Sequence, residues 1–99
     1  MTKKILMFYD KSCLDSEMIM PLIKRINERP DKEFEIELHE VWKDEDSKKL
    51  HKKYSQLLKR ECGRDSVIPS FLDIEGNRAL CGPTPEKLME WLFGPDWWK

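Results

Sequence analysis

The sequence predicts an α/β domain in which a mixed four-stranded sheet lies between helices on both faces, in the order β-α-β-α-β-β-α. Three observations predict it. A short apolar run near the N-terminus gives way to a stretch of helical period. The next apolar segment alternates with glutamates, as a half-buried strand does. Two further short strand-like segments are joined by Glu75-Gly76-Asn77. A chain of 99 residues suits one domain, because two cores would not fit.

Each element has its own signal. Lys3 to Tyr9 is a compact apolar run of a length that suits a buried strand. Asp10 to Ser12 reads as a loop. From Cys13 onward Leu14, Met18, Ile19, Leu22, Ile23 and Ile26 form a helical stripe, with Pro21 inside it as a source of a kink. Pro30-Asp31 ends that helix. Phe34, Ile36 and Leu38 alternate with Glu33, Glu35 and Glu37, which predicts a strand running on to Val41 or Trp42. Asp44 to Asp46 supply an acidic helix start. Leu50, Tyr54, Leu57 and Leu58 give this helix an apolar stripe as far as Cys62, with Gly63 as its C-cap. Ser70 to Ile74 and Arg78 to Cys81 are the strands of a hairpin. Thr84 caps a last helix with Pro85 in its first position, and Leu88, Met89, Trp91, Leu92 and Phe93 form its buried side. Residues 1–94 make the domain, and residues 95–99 form a short Trp-rich tail, in which one of Trp97 and Trp98 is expected to fold back on the last helix.

Composition narrows the function classes. Charged residues make up 37% of the chain but cancel to a net charge of −1, so neither nucleic acid nor an anionic membrane is an expected partner. The apolar run at the N-terminus is too short for a signal peptide, and no stretch approaches the roughly 20 apolar residues of a membrane span. This predicts a cytoplasmic protein. Three cysteines, Cys13, Cys62 and Cys81, are too few and too odd in number for a secreted disulfide framework, and free thiols in a reducing compartment are expected. No CxxC pair or paired histidines are present, His39 and His51 standing alone, so neither a metal nor another cofactor is expected.

The order of elements and three local motifs together resemble the thioredoxin-like family. Cys13-Leu14-Asp15-Ser16 opens the first helix where that family places its CxxC, and Pro21 follows five residues after Ser16. Ile68-Pro69-Ser70-Phe71 matches the family's cis-proline motif before the third strand, and Gly76 and Gly82 fall at similar offsets. The likeness runs from about Lys3 to Gly94. A narrower group of small thioredoxin-like proteins adds a Cys-Gly before the cis-proline, a second after the last strand and a Trp in the last helix. Cys62-Gly63, Cys81-Gly82 and Trp91 fit that pattern.

The resemblance implies thiol-disulfide chemistry at Cys13. Only the thiolate attacks a disulfide, and the unpaired backbone N–H groups and partial positive charge of a helix N-terminus favour a thiolate. Ser16 departs from the family: it cannot resolve a mixed disulfide. Met7 stands where the family keeps a buried acid. The departures argue against a plain dithiol reductase and leave monothiol exchange with protein or peptide disulfides, or with glutathione. The resemblance also implies that Ile68, Pro69 and Ser70 shape the substrate groove, where an extended peptide pairs with the backbone. Two alternatives stand beside this reading. One is a thioredoxin-like binding module without turnover. The other is a redox sensor that pairs Cys13 with Cys81, a residue read first as a packed strand-end cysteine, with a distant resolving thiol as the alternative.

Overall fold

The computed structural model describes residues 2–64 and 67–99. Its elements are β1 (Lys3–Tyr9), α1 (Leu14–Glu28), β2 (Phe34–Glu40), α2 (Glu45–Lys53), α3 (Ser55–Cys62), β3 (Ser70–Asp73), β4 (Arg78–Cys81) and α4 (Pro85–Phe93). They build one mixed sheet in the order β2-β1-β3-β4. β1 and β2 are parallel, with Ile5 opposite Ile36 and Tyr9 opposite Glu40. β3 runs antiparallel to β1, and β4 antiparallel to β3.

The central position of β1 explains its unbroken apolar run. Ile5 to Phe8 are all buried, because both faces of this strand are covered. On one face Ile5, Met7, Phe34, Ile36 and Phe71 pack against Ile19, Ile23 and Ile26 of α1 and Leu88 and Leu92 of α4. On the other, Leu6, Phe8, Val41 and Leu72 pack against Leu58 of α3, with Leu50, Tyr54 and Leu57 closing the layer. The helices therefore cover both faces, as expected. α1 carries Pro21 in its interior, which leaves the Glu17 carbonyl without its i+4 donor.

The helix ends follow their sequence signals. Gly63 takes a left-handed conformation, φ +82°, and its N–H donates to the Lys59 carbonyl at 2.9 Å. The Thr84 hydroxyl accepts from the Lys87 N–H at 3.3 Å, with Pro85 next in line. In the tail, Trp97 folds back beside Ile26, Met89 and Phe93, while Trp98 stays exposed.

Two expectations are corrected. The single helix expected from Asp44 to Cys62 is two, broken at Tyr54 (φ −103°, ψ 13°). The Tyr54 N–H still bonds the Leu50 carbonyl, and the Leu58 N–H the Tyr54 carbonyl, so the bend costs few hydrogen bonds. It lets Leu50, Tyr54, Leu57 and Leu58 all reach one sheet face. β2 also stops at Glu40, short of the expected Val41 or Trp42.

β2 is an edge strand, and its outer side is partly closed by a side chain. The Asn27 amide on α1 donates to the Ile36 carbonyl at 3.0 Å and accepts from the Ile36 N–H at 2.8 Å. It satisfies both backbone groups that would otherwise be open to another strand. Asn27→Ala should destabilise the chain by about 1–2 kcal/mol, since two part-buried backbone groups lose their partner. Urea unfolding checks this: the midpoint should fall at unchanged slope, and an unmoved midpoint would remove Asn27 from the account of the edge.

Candidate functional site

Cys13 sits where β1 hands over to α1. The loop before it is organised by Asp10. One Asp10 carboxylate oxygen, Oδ1, accepts the Ser12 N–H at 3.0 Å and the Ser12 hydroxyl at 2.8 Å. The Asp10 carbonyl accepts the Cys13 N–H at 3.0 Å. This is an Asx-type turn, in which a short acidic side chain replaces backbone partners. The Ser12 backbone and hydroxyl bonds, helped by Lys43, hold the Asp10 carboxyl below the usual carboxylate range against a smaller opposing effect of burial. The turn delivers Cys13 as the N-cap of α1, in extended conformation, with its carbonyl accepting the Glu17 N–H at 3.1 Å.

The Cys13 side chain is half-buried and its thiol is free. It makes no capping bond to its own helix. Its Sγ lies 3.9 Å from the Ile68 carbonyl oxygen, within donating distance for sulfur. The Ile68–Pro69 peptide bond is cis. Pro69 is buried, and its carbonyl accepts the Gly82 N–H at 2.7 Å. Ser70 is fully buried opposite Cys81 in the hairpin register, and its hydroxyl has no hydrogen-bond partner. Cys13, Ile68, Pro69 and Ser70 thus come together at one end of the sheet.

Ser16 does not line that opening. It is 1% exposed on the inner side of α1, where its hydroxyl meets the Asp10 N–H at 3.5 Å. It closes the loop from beneath. Met7, in the position of the expected acid, is a core residue. The solvent side of α1 differs: Met18 is 70% exposed and, with Asp15, Ile19 and residues Gly82 to Pro85, lines a hollow of about 240 Å³.

The expectation of three free thiols is corrected. Cys62 and Cys81 form a disulfide with Cα atoms 5.9 Å apart, within the usual span. It joins the end of α3 to the end of β4. Cys81 is therefore bonded to Cys62 and not to Cys13.

Other side chains gather here that sequence reasoning passed over. Glu40 faces Tyr9 across β1 and β2, and its Oε2 is buried without a partner. Burial, and then the Glu40 carboxylate, pushes the Tyr9 phenol up, against a weaker pull from Lys43. A signal existed: Glu40 falls on the strand face already occupied by Phe34 and Ile36, where an acid is out of pattern. His39 belongs to a separate network. Its Nε2 is 2.7 Å from Glu37 and its Nδ1 3.2 Å from the Ser47 hydroxyl, which donates to Asp44 at 3.0 Å. This ties β2 to the start of α2. Among the described residues no group of three or more His, Cys, Asp or Glu side chains is placed to hold a metal, and no helix is long and apolar enough to cross a membrane.

Fold and site together define an α/β domain with a mixed four-stranded sheet, a disulfide joining α3 to β4 and one free thiol at a helix N-terminus. No family model, curated protein or solved structure matches the chain.

Proposed function

We propose that this chain is a thioredoxin-like monothiol exchange protein acting through Cys13. The observation that carries the reading is the placement of the one free thiol: Cys13 caps α1, half-exposed, with its sulfur against the Ile68 carbonyl that precedes Pro69. In the proposed reaction the Cys13 thiolate attacks one sulfur of a protein, peptide or glutathione disulfide. A Cys13–S–S–R bond forms, the original S–S bond breaks and the other half leaves as a thiolate. Ser16 offers no second thiol, so an external thiol, glutathione by class, must attack the mixed disulfide to return Cys13. The Ile68 carbonyl borders the sulfur, and the backbone of Ile68, Pro69 and Ser70 would shape the groove for the partner's backbone. The reaction needs no cofactor.

A second reading, a binding module without turnover, is favoured by Ser16 and by Met7, because the resolving thiol and the buried acid are both replaced. A sensor pairing Cys13 with Cys81 would first require the Cys62–Cys81 bond to open.

One experiment separates exchange from binding. The oxidised chain is incubated with glutathione disulfide at neutral pH and its intact mass followed. One glutathione should add, on the peptide carrying Cys13. Reduced glutathione should remove it, and Cys13→Ala should abolish it entirely. A chain that takes no adduct is a binding module and not an exchanger.

A further inference from the structure

The disulfide and the free thiol are joined by a short run of contacts. Cys81 ends β4, directly opposite Ser70. The next residue, Gly82, donates its N–H to the Pro69 carbonyl at 2.7 Å. The residue before Pro69, Ile68, offers its carbonyl to the Cys13 sulfur at 3.9 Å. Gly82 itself is in left-handed conformation, φ +54°, with Val67 in ordinary contact range, 3.6 Å from where its Cβ would stand. On the other side of the bond, Cys62 is the last residue of α3 and stands six positions before Ile68 in the sequence. The disulfide therefore closes a loop of 19 residues in sequence separation that contains the carbonyl facing Cys13.

From this arrangement we infer that the Cys62–Cys81 disulfide is a redox-sensitive brace that sets the reactivity of Cys13. The inference rests on the exchange reading of Cys13. While the bond is closed, both ends of the loop are held and the Ile68 carbonyl stays against the thiol. A carbonyl held against the sulfur covers one side of the thiol, and an incoming disulfide must displace it before it reaches Cys13 from that side. A dithiol reductant opens the brace. It gives up two electrons and two protons and becomes a disulfide; the Cys62–Cys81 bond breaks and two thiols appear. The α3 end and the β4 end are then free to separate, the Ile68 carbonyl withdraws, and Cys13 reacts faster. The device makes thiol exchange at Cys13 responsive to a dithiol that never touches Cys13.

The test compares the oxidised wild type with the Cys62→Ser/Cys81→Ser double variant. In each, Cys13 is the one free thiol, so alkylation by iodoacetamide reads it alone. Cys13 should be alkylated at least about fivefold faster in the double variant, the lower end of ordinary coupling between sites. Equal or slower alkylation, with glutathione exchange at Cys13 intact in both chains, overturns the brace and leaves the exchange reading standing. If Cys13 is inert in both, the exchange reading fails, and the brace is judged by hydrogen exchange at the Gly82 amide. Faster exchange in the double variant supports the coupling, and an unchanged rate overturns it. Should the double variant not fold, the wild type reduced with a phosphine and analysed by peptide-resolved alkylation gives the same two outcomes.

Discussion

The Cys62→Ser/Cys81→Ser chain should be less stable than the oxidised wild type by about 3 kcal/mol, the size expected for a crosslink over a loop of this order. For a domain of this length that lowers the thermal midpoint by roughly 15 °C. The cause lies mostly in the unfolded chain, where the bond between Cys62 and Cys81 removes the freedom of the segment between them. The folded chain has reason to depend on it. β4 is a four-residue edge strand paired on one side only, and among the described residues α3 has one fully buried apolar anchor, Leu58. The bond adds a covalent link between these two neighbouring pieces. Thermal or guanidinium unfolding with and without reductant checks the claim. Reductant should lower the midpoint of the wild type and leave the double variant unmoved. Coincident curves for oxidised wild type and double variant would show that the crosslink adds no stability. A large effect here and a small one on Cys13 alkylation would separate stabilisation from the bracing role.

How far the sequence alone led depends on whether a feature is local. The apolar run Ile5 to Phe8, the alternation from Glu33 to Leu38, and the caps Gly63 and Thr84 are written within a few residues of the structures they specify. Cys13 at a helix start was legible for the same reason. What escaped was non-local or lacked a marker. Cys62 and Cys81 are 19 apart, and an odd cysteine count pointed to free thiols; only the packing of α3 against the end of β4 brings their Cα atoms to 5.9 Å. The break at Tyr54 has no Pro or Gly to announce it, because the bend answers the shape of the sheet face beneath it. Asp10 read as an ordinary loop acid. Its role emerges only when the Ser12 and Cys13 N–H groups are followed to their acceptors. Leu38 continues the apolar alternation yet is exposed, since β2 lies at the sheet edge.

At the opposite end of the sheet from Cys13, Asp73 joins three segments of the chain. It ends β3 at 1% exposure, among residues read from sequence as a plain strand and turn. Its Oδ2 lies 2.8 Å from Lys3 Nζ and 3.1 Å from Arg78 Nε, and its Oδ1 accepts the Gly76 N–H at 3.0 Å. The carboxylate thus pins the start of β1, the β3–β4 turn and the start of β4 together. Burial pushes the carboxyl up, but the bonds from Lys3, Gly76 and Arg78 outweigh it and hold it below the usual range. A depressed native value contributes stability above the unfolded carboxyl value of about 3.9 and loses it as pH falls through the native value. Asp73→Ala should therefore cost about 2 kcal/mol at neutral pH, less than a fully buried pair because both cations reach solvent, and the gap should narrow below about pH 4. Gly76→Ala probes the same cradle by crowding it. A Cβ there would stand 2.5 Å from Asp73 Oδ2, and the carboxylate cannot turn aside without releasing Lys3 or Arg78. Overpacking of this kind costs about 1–3 kcal/mol. The two substitutions must then be non-additive. Once Asp73 is alanine the clash is gone, and adding Gly76→Ala should cost at least about 1 kcal/mol less than it does in the wild type. Urea unfolding of the four chains measures this directly. Additive losses would mean that Gly76 is needed for the path of the turn itself, and that its closeness to Asp73 has no energetic consequence.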